Sequence, residues 1–466
     1  MNSAFRDASR ELNHRIILLG LLLLFAGLGA RIGLLILYGN RVVGSFSGVG
    51  DQERYVALAE SVFEGRGLSY YGQPTALRPP IYPLLLAASH VLFGSYYPLA
   101  VRLLQFLSGI AVAYVCMLMS KKLFGDRVCV GLWAGAAALA LPTLIYISAE
   151  LQTEQLATFL TIVFLLFVLG EFQGMANCAL GLGISSGFAT LMRFNCAILV
   201  IIGALVCIWS KRGLRDACVV CLVSGLIISP WIVRNAVAFR GQILFSSHGG
   251  INLLEGVVTP DGRAQKGESE RLRATLGWLH TDIENNNPHR TRFPGEPQLD
   301  HQAKGVAIAT WKNLGWRSAI TLLLKKTITF WLSTDQIVNT SSFSISNRVL
   351  RGVGVAVYWI ALTFAIAGWR YLYSSSRILA LALAFYALFV TLAHLPFVMN
   401  TRIRIPFLDP LICVLAAGGL VQTFEKVQRG LCRRRHTSLL DPFVTDSVEA
   451  QWSMLKPDAP VAYKQM

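Results

Sequence analysis

Polar and apolar positions along the 466-residue chain alternate in long blocks rather than in short amphipathic periods. A bilayer crossing takes about 20 apolar residues. On that measure the blocks predict spans near residues 16–38, 97–120, 128–147, 152–170, 178–192, 194–210, 216–233, 350–371, 377–395 and 405–424. The expectation is an all-α polytopic membrane protein with about ten transmembrane helices, within a range of roughly 9 to 13. The pair 178–192 and 194–210 is short, because Arg193 and Asn195 interrupt it.

Two longer segments, 39–96 and 234–349, break the rhythm. In the first, Tyr55, Leu58, Ala59, Val62 and Phe63 follow helical spacing, which predicts an amphipathic interfacial helix over 52–64 ended by Gly65 and Gly67. The apolar stretch from Ile81 to Phe93 is short and follows Arg78-Pro79-Pro80, so it reads as an interfacial or re-entrant helix. In the second, "SAITLLLKKTITFWLS" (318–333) is interrupted by Lys325 and Lys326 and is placed on the external surface. Residues 255–316, with clusters such as "ENNNPHR", read as a loop-rich external subdomain. One unit is expected over 1–424, followed by a basic, disordered cytoplasmic tail over 425–466.

Composition agrees: 54% of residues are hydrophobic and 15% charged. The net charge of +16 does not form a basic stripe with interleaved aromatics, so nucleic acid is not an expected partner. The basic residues instead mark topology. Lys121, Lys122 and Arg127, then Lys211, Arg212 and Arg215, then Arg370 and Arg377, then Arg433 to Arg435 fall on alternate boundaries. Both termini are then cytoplasmic, and the two long segments share the external side. The first span lacks a small-residue cleavage site and reads as a retained anchor. Eight of nine cysteines lie in or beside apolar runs, which argues against a disulfide framework. Cys218 and Cys221 read as packing residues of a helix.

Five polar clusters fall at external helix ends: Asp51 with Glu53; Arg78; Glu150 with Glu154; Arg234 with Asn235; and His394 with Arg402 and Arg404. Charges at the outer face of a bundle are costly to desolvate and tend to mark a water-lined site or an anionic ligand. Guanidinium groups suit a phosphate, while an isolated carboxylate can accept a proton from a nucleophile. Plainer readings stand beside these. Asp51 can serve as a helix cap, Arg402 and Arg404 as headgroup anchors, Arg193 as a structural partner of a carbonyl or acid, and His394 as a polar helix end. Walker A, GxGxxG, HExxH and GxSxG motifs are absent. Asp51-Gln52-Glu53 has metal-ligand character, and Asn339-Thr340-Ser341 is formally a glycosylation sequon.

The ordered set "GDQERYVALAESVFEGRG", "PTALRPPIYPLLLA", "SAELQTEQLATFL", "GFATLMRFN", "SPWIVRNAVAFRGQILFSSHGGINLLEG" and "RIRIPFLDPLI" resembles the GT-C membrane glycosyltransferases over residues 16–424. Its nearest likeness is to the bacterial branch related to protein O-mannosyltransferases and the lipid A aminoarabinose transferase. The resemblance implies a GT-C fold and transfer of a sugar from a polyprenyl-phosphate carrier to a glycan, lipid or protein acceptor. Transfer would be external and inverting, in a bacterial inner membrane. It also implies Asp51 as the base, Glu154 or Glu53 as a second acid, and Arg78, Arg402 and Arg404 as contacts to the carrier phosphate. Arg234 and His394 would line the site. No organic cofactor is expected, and a divalent metal is left open. Relatives of this kind commonly carry a larger external domain after the last span, so the acceptor does not transfer from them. The alternative is a transporter or flippase of lipid-linked sugars, toward which the 192–195 interruption leans.

Overall fold

The computed structural model describes residues 3–42, 51–70, 72–125, 128–210, 212–258, 296–333 and 346–452. The "ENNNPHR" cluster and the Asn339 sequon lie outside them. The chain is a helical bundle whose only β-structure among the described residues is a two-stranded ribbon, β1 (Ser69–Tyr70) with β2 (Gln73–Pro74). Long apolar helices follow the expected blocks: α1 (Ser3–Tyr38), α4 (Tyr97–Phe124), α7 (Glu154–Phe172), α10 (Leu214–Ala238), α14 (Ser346–Ser375), α15 (Arg377–His394) and α16 (Thr401–Trp452). The shorter α8 (Cys178–Met192) and α9 (Ile198–Trp209) occupy the interrupted pair.

The span expected at 128–147 is bent by 53° between α5 (Val128–Ala140) and α6 (Pro142–Ala149). Pro142 has no N–H to donate to Ala138, one turn earlier, and this frees a carbonyl inside the bundle. Arg31 of α1 answers it: Nη2 donates to Ala138 O at 3.1 Å and Nε to Leu139 O at 3.2 Å. A basic residue in the first apolar block thus stabilises a kink more than a hundred residues away.

α2 (Asp51–Phe63) forms where the spacing placed it, with Tyr55, Leu58 and Ala59 buried. Phe63 is the exception: it is half exposed and stacks on His90. α3 (Ile81–Phe93) is joined to α4 by a 3-10 turn, and Gly94, with φ +54°, lets the chain reverse. Tyr82 Oη reaches Gln105 Oε1 at 2.9 Å, a contact that two collinear helices could not make. α3 therefore folds back on α4 and does not extend it into one long span.

The two long polar segments pack together. Arg234 donates from Nη1 to Thr75 O at 2.8 Å and from Nη2 to Leu68 O at 2.7 Å. Glu296 accepts from Ala76 N at 2.9 Å and Ser247 Oγ at 2.7 Å. Burial holds the Glu296 carboxyl above the ordinary range, against the pull of these donors. Within the region read as loop-rich, α12 (Glu296–Asn313) is an 18-residue helix packed on α11 (Gly249–Val258) through Leu254, Leu299 and Ala303. A polar composition hides the helical spacing of its few apolar positions. α13 (Trp316–Leu332) is amphipathic. Trp316, Ile320, Leu324 and Ile328 form an exposed stripe, while Lys326 is fully buried and donates to Gly256 O at 2.9 Å and Leu395 O at 2.5 Å.

α14 and α16 cross at Gly368 and Gly419. A Cβ on either would meet backbone of the other helix, Leu415 O or Phe364 O, at 2.0 Å. The helices touch backbone to backbone, as small residues permit within membranes. α16 then continues to Trp452, so residues 425–452 are helical where a disordered tail was expected. Glu, Lys, Gln and Arg follow the apolar block with no proline before Pro442, and nothing at 424 ends the helix. Cys218 and Cys221 are free thiols on the exposed face of α10, not in its packing.

Candidate active site

Glu154 opens α7 after the turn that follows α6, and its side chain is 1% exposed. Its Oε1 is shared by two arginines. Arg402, in the first turn of α16, donates from Nε at 2.7 Å and from Nη2 at 2.5 Å. Arg193, at the break between α8 and α9, approaches with Nη1 at 2.6 Å. Oε2 is buried without a hydrogen-bond partner among the described residues. One carboxylate oxygen thus faces two guanidiniums.

The break between α8 and α9 extends the network. Arg193 leaves the helix with φ −148° and ψ 120°. Its Nη1 also donates to Thr153 Oγ1 at 3.2 Å and its Nε to Asn195 Oδ1 at 3.4 Å. Asn195 Nδ2 lies 3.2 Å from His394 Nε2, and His394 Nδ1 lies 2.7 Å from Val390 O. A carbonyl can only accept, so Nδ1 carries the ring proton and Nε2 accepts from Asn195. His394 is thus the buried far end of a strut that orients Asn195 and, through it, Arg193.

Arg402 and Arg404, two residues apart on one helix, point to different partners because successive residues turn about 100°. Arg404 is fully buried. Its Nε donates to Asp409 Oδ1 at 2.9 Å and its Nη1 to the carbonyls of Phe330, Trp331 and Ser333 at 3.0 to 3.2 Å. Its guanidinium lies 4.1 Å from the centre of the Tyr358 ring, and Thr143 Oγ1 donates to Asp409 Oδ2 at 2.6 Å. Arg404 thereby caps the end of α13 and ties it to α6, α14 and α16. It does not join the Glu154 cluster, and Arg234, gripping the β-ribbon, does not join it either.

Asp51 is the first residue of α2, one turn ahead of Tyr55; the side chains of Asp51 and Glu53 lie outside the described residues. Arg78 sits over the Tyr55 ring at 5.5 Å. Tyr55 packs edge-on against Tyr82, whose hydroxyl holds Gln105. Gln105 Nε2 in turn donates to Glu150 O at 2.6 Å, four residues before Glu154. Arg102 fastens the same turn, donating to Ala149 O and Gly39 O at 2.8 Å each. This chain of contacts connects the start of α2 to the Glu154 turn. Arg193, Asn195, Tyr82 and Gln105 were not among the expected site residues. The one visible signal was the polar interruption of an apolar block at 193–195. Among the described residues no three His, Cys, Asp or Glu side chains gather as metal ligands do.

Comparison with known proteins gives a family match over part of the chain. Residues 77–233 match the model of the dolichyl-phosphate-mannose-protein mannosyltransferase family. No curated protein matches the sequence. Among solved structures, the archaeal oligosaccharyltransferase AglB from Archaeoglobus fulgidus, in complex with an inhibitory peptide and a dolichol-phosphate, is 14% identical. The match covers 91% of this chain and 52% of that one, with a TM-score of 0.52. Its apo form is 15% identical over 90% and 52% of the two chains, with a TM-score of 0.51. ArnT from Cupriavidus metallidurans bound to undecaprenyl phosphate is 17% identical over 88% and 78%, with a TM-score of 0.35. The chain thus spans about half the length of the archaeal protein it matches. What the match to the archaeal structures establishes is the architecture: this multi-pass membrane protein has the fold of the GT-C glycosyltransferases.

Proposed function

We propose that the protein is a glycosyltransferase that moves a sugar from a polyprenyl-phosphate carrier to an acceptor hydroxyl or amine at the external face of a bacterial inner membrane, with both termini cytoplasmic. The observation that carries this reading is the convergence at one end of the bundle. Arg402, Glu154 and Arg193, from three distant parts of the chain, meet there. Arg78 and Tyr55 join that turn to the helix that Asp51 opens. The partial family match and the GT-C fold support the same chemistry. The AglB and ArnT structures were solved with dolichol-phosphate and undecaprenyl phosphate, which suits a lipid-phosphate donor here.

In this mechanism the acceptor oxygen or nitrogen attacks the anomeric carbon from the face opposite the carrier, so configuration inverts. The bond from the anomeric carbon to the phosphate oxygen breaks, and its electron pair stays on the phosphate. Arg402 and Arg78 stabilise that charge, which does more for an already anionic leaving group than a general acid would. The acceptor proton passes to the Asp51 carboxylate. Holding both reactants at one membrane face supplies orientation worth several kcal/mol of the barrier.

The test is transfer of radiolabelled sugar from polyprenyl-phosphate donors into a membrane extract, comparing wild type with Asp51→Asn. A loss of about 10²- to 10⁴-fold is expected for removing a general base. Undiminished transfer in the variant refutes the assignment.

A further inference from the structure

We infer that α13 anchors the polar segments to the membrane: its exposed apolar stripe enters the lipid leaflet on the Glu154 side of the bundle, and the cations beside that stripe hold anionic phospholipid headgroups. This anchorage is independent of the donor chemistry proposed above. Trp316, Ile320, Leu324 and Ile328 are each at least half exposed. At about 100° per residue, steps of four advance about 40°, so the stripe covers about 120° of the helix. Measured from Trp316, Lys326 and Phe330 fall at about 280° and 320° and are buried, while Arg317 and Lys325 fall at about 100° and 180° and are exposed. The apolar arc thus lies between a face fixed to the protein and a face edged with positive charge, as in a helix seated at a membrane surface.

The fixed face sets the depth. Lys326 Nζ donates to Leu395 O, just past the end of α15, and Trp331 Nε1 donates to Thr391 Oγ1, one turn earlier. Arg404, in the first turn of α16, holds the carbonyls of Phe330, Trp331 and Ser333. The C-terminal turn of α13 therefore lies where two apolar helices end. The twelve residues from Ile328 back to Trp316 rise about 18 Å. One leaflet with its headgroups is about 20 Å deep, so the whole stripe fits within it. Trp316 opens the helix, with the Arg317 guanidinium 5.2 Å from its ring centre, an aromatic and a cation together as at the headgroup level of a bilayer. Charge selects the occupant. From His301 to Thr334 the chain carries no Asp or Glu, whereas Lys304, Lys312, Arg317 and Lys325 are all exposed. Cations without acids repel a second copy of the same surface and attract anionic headgroups. Lys326 Nζ also donates to Gly256 O, so a helix anchored in this way seats α11 at the membrane as well.

The experiment uses the full chain in phosphatidylcholine nanodiscs that carry a trace of either phosphatidylglycerol or phosphatidylcholine with a diazirine in its tail, and maps the photoadducts by mass spectrometry. Residues 318–328 are expected to be labelled by both probes, and at least threefold more by the phosphatidylglycerol. Leu222 and Leu226, exposed on the span α10, give the reference for lipid-facing positions. Arg317→Gln combined with Lys325→Gln should bring the two probes to parity at 318–328. Ile320→Ser combined with Leu324→Ser should lower labelling there by both probes at least fivefold, with α10 labelled as before in each variant. Unlabelled 318–328 beside a labelled α10, as a second copy or another stretch of this chain over the stripe would give, overturns the inference. So does equal labelling by the two probes in wild type, or a preference that survives the double glutamine variant. Asp51→Asn should label as wild type does, so the anchor and the donor chemistry stand or fall separately.

Discussion

Replacing Glu154 by glutamine removes one charge with almost no change of shape, and the surrounding geometry sets the size of the effect. Oε1 of Glu154 takes contacts at 2.5, 2.6 and 2.7 Å from two arginines that are only 15% and 14% exposed. A glutamine oxygen can still accept, but the charge of Glu154 no longer offsets two guanidiniums about 5 Å apart, whose repulsion at an effective dielectric near 20 is about 3 kcal/mol. Breaking buried ion pairs costs about 3–5 kcal/mol. Since both arginines reach some solvent and keep their other hydrogen bonds, a loss of about 2–3 kcal/mol is expected. A bound phosphate would supply the missing negative charge, so undecaprenyl phosphate should raise the thermal midpoint of the variant more than that of wild type. By reciprocity, the variant should bind that lipid more tightly. Thermal unfolding in nanodiscs at one scan rate, with and without the lipid, reads both effects. A variant as stable as wild type without lipid, or an equal lipid shift in the two proteins, would refute this reading of Glu154 as the counter-charge that holds Arg193 and Arg402 together.

Gly419→Ala should separate α14 from α16, because the new methyl would lie 2.0 Å from Phe364 O and backbone cannot yield as a side chain can. A loss of about 1–3 kcal/mol is expected from such overpacking, read by thermal unfolding, and an unchanged midpoint would disprove the close crossing. Burial pushes the Lys326 ammonium down to about 8 from an ordinary 10.5. Between those values the unfolded chain holds a proton that the folded chain has released, so stability rises with pH there. Wild type should therefore gain on Lys326→Met as pH rises from 7 to 9.5, and a pH-independent difference would place Lys326 in solvent. A single cysteine introduced between 296 and 310 should react with an impermeant thiol reagent from outside intact cells; protection there overturns the proposed orientation.

Most of the fold was legible because a bilayer demands long apolar blocks, and those blocks are plain in the sequence. The amphipathic α2 was legible for a related reason: one apolar stripe at helical spacing amid charges predicts a helix with one buried face. What could not be read is what depends on pairing between blocks. Arg402 and Arg404 look equivalent in "TRIRIP", yet helical geometry sends one to Glu154 and the other to Asp409. Arg31 reads as a misplaced charge until the carbonyls freed at Pro142 are seen against it. Gly419 carries no mark of Gly368. Arg193 shows the same limit. Its place in an apolar block announces a cost and calls for a carbonyl or acid as partner, which Glu154 supplies. The break between α8 and α9 sets which partner it finds: with Asn195 and His394 fixing its angle, the Arg193 fork faces Glu154 and Thr153, a pairing that no pattern within the block reveals.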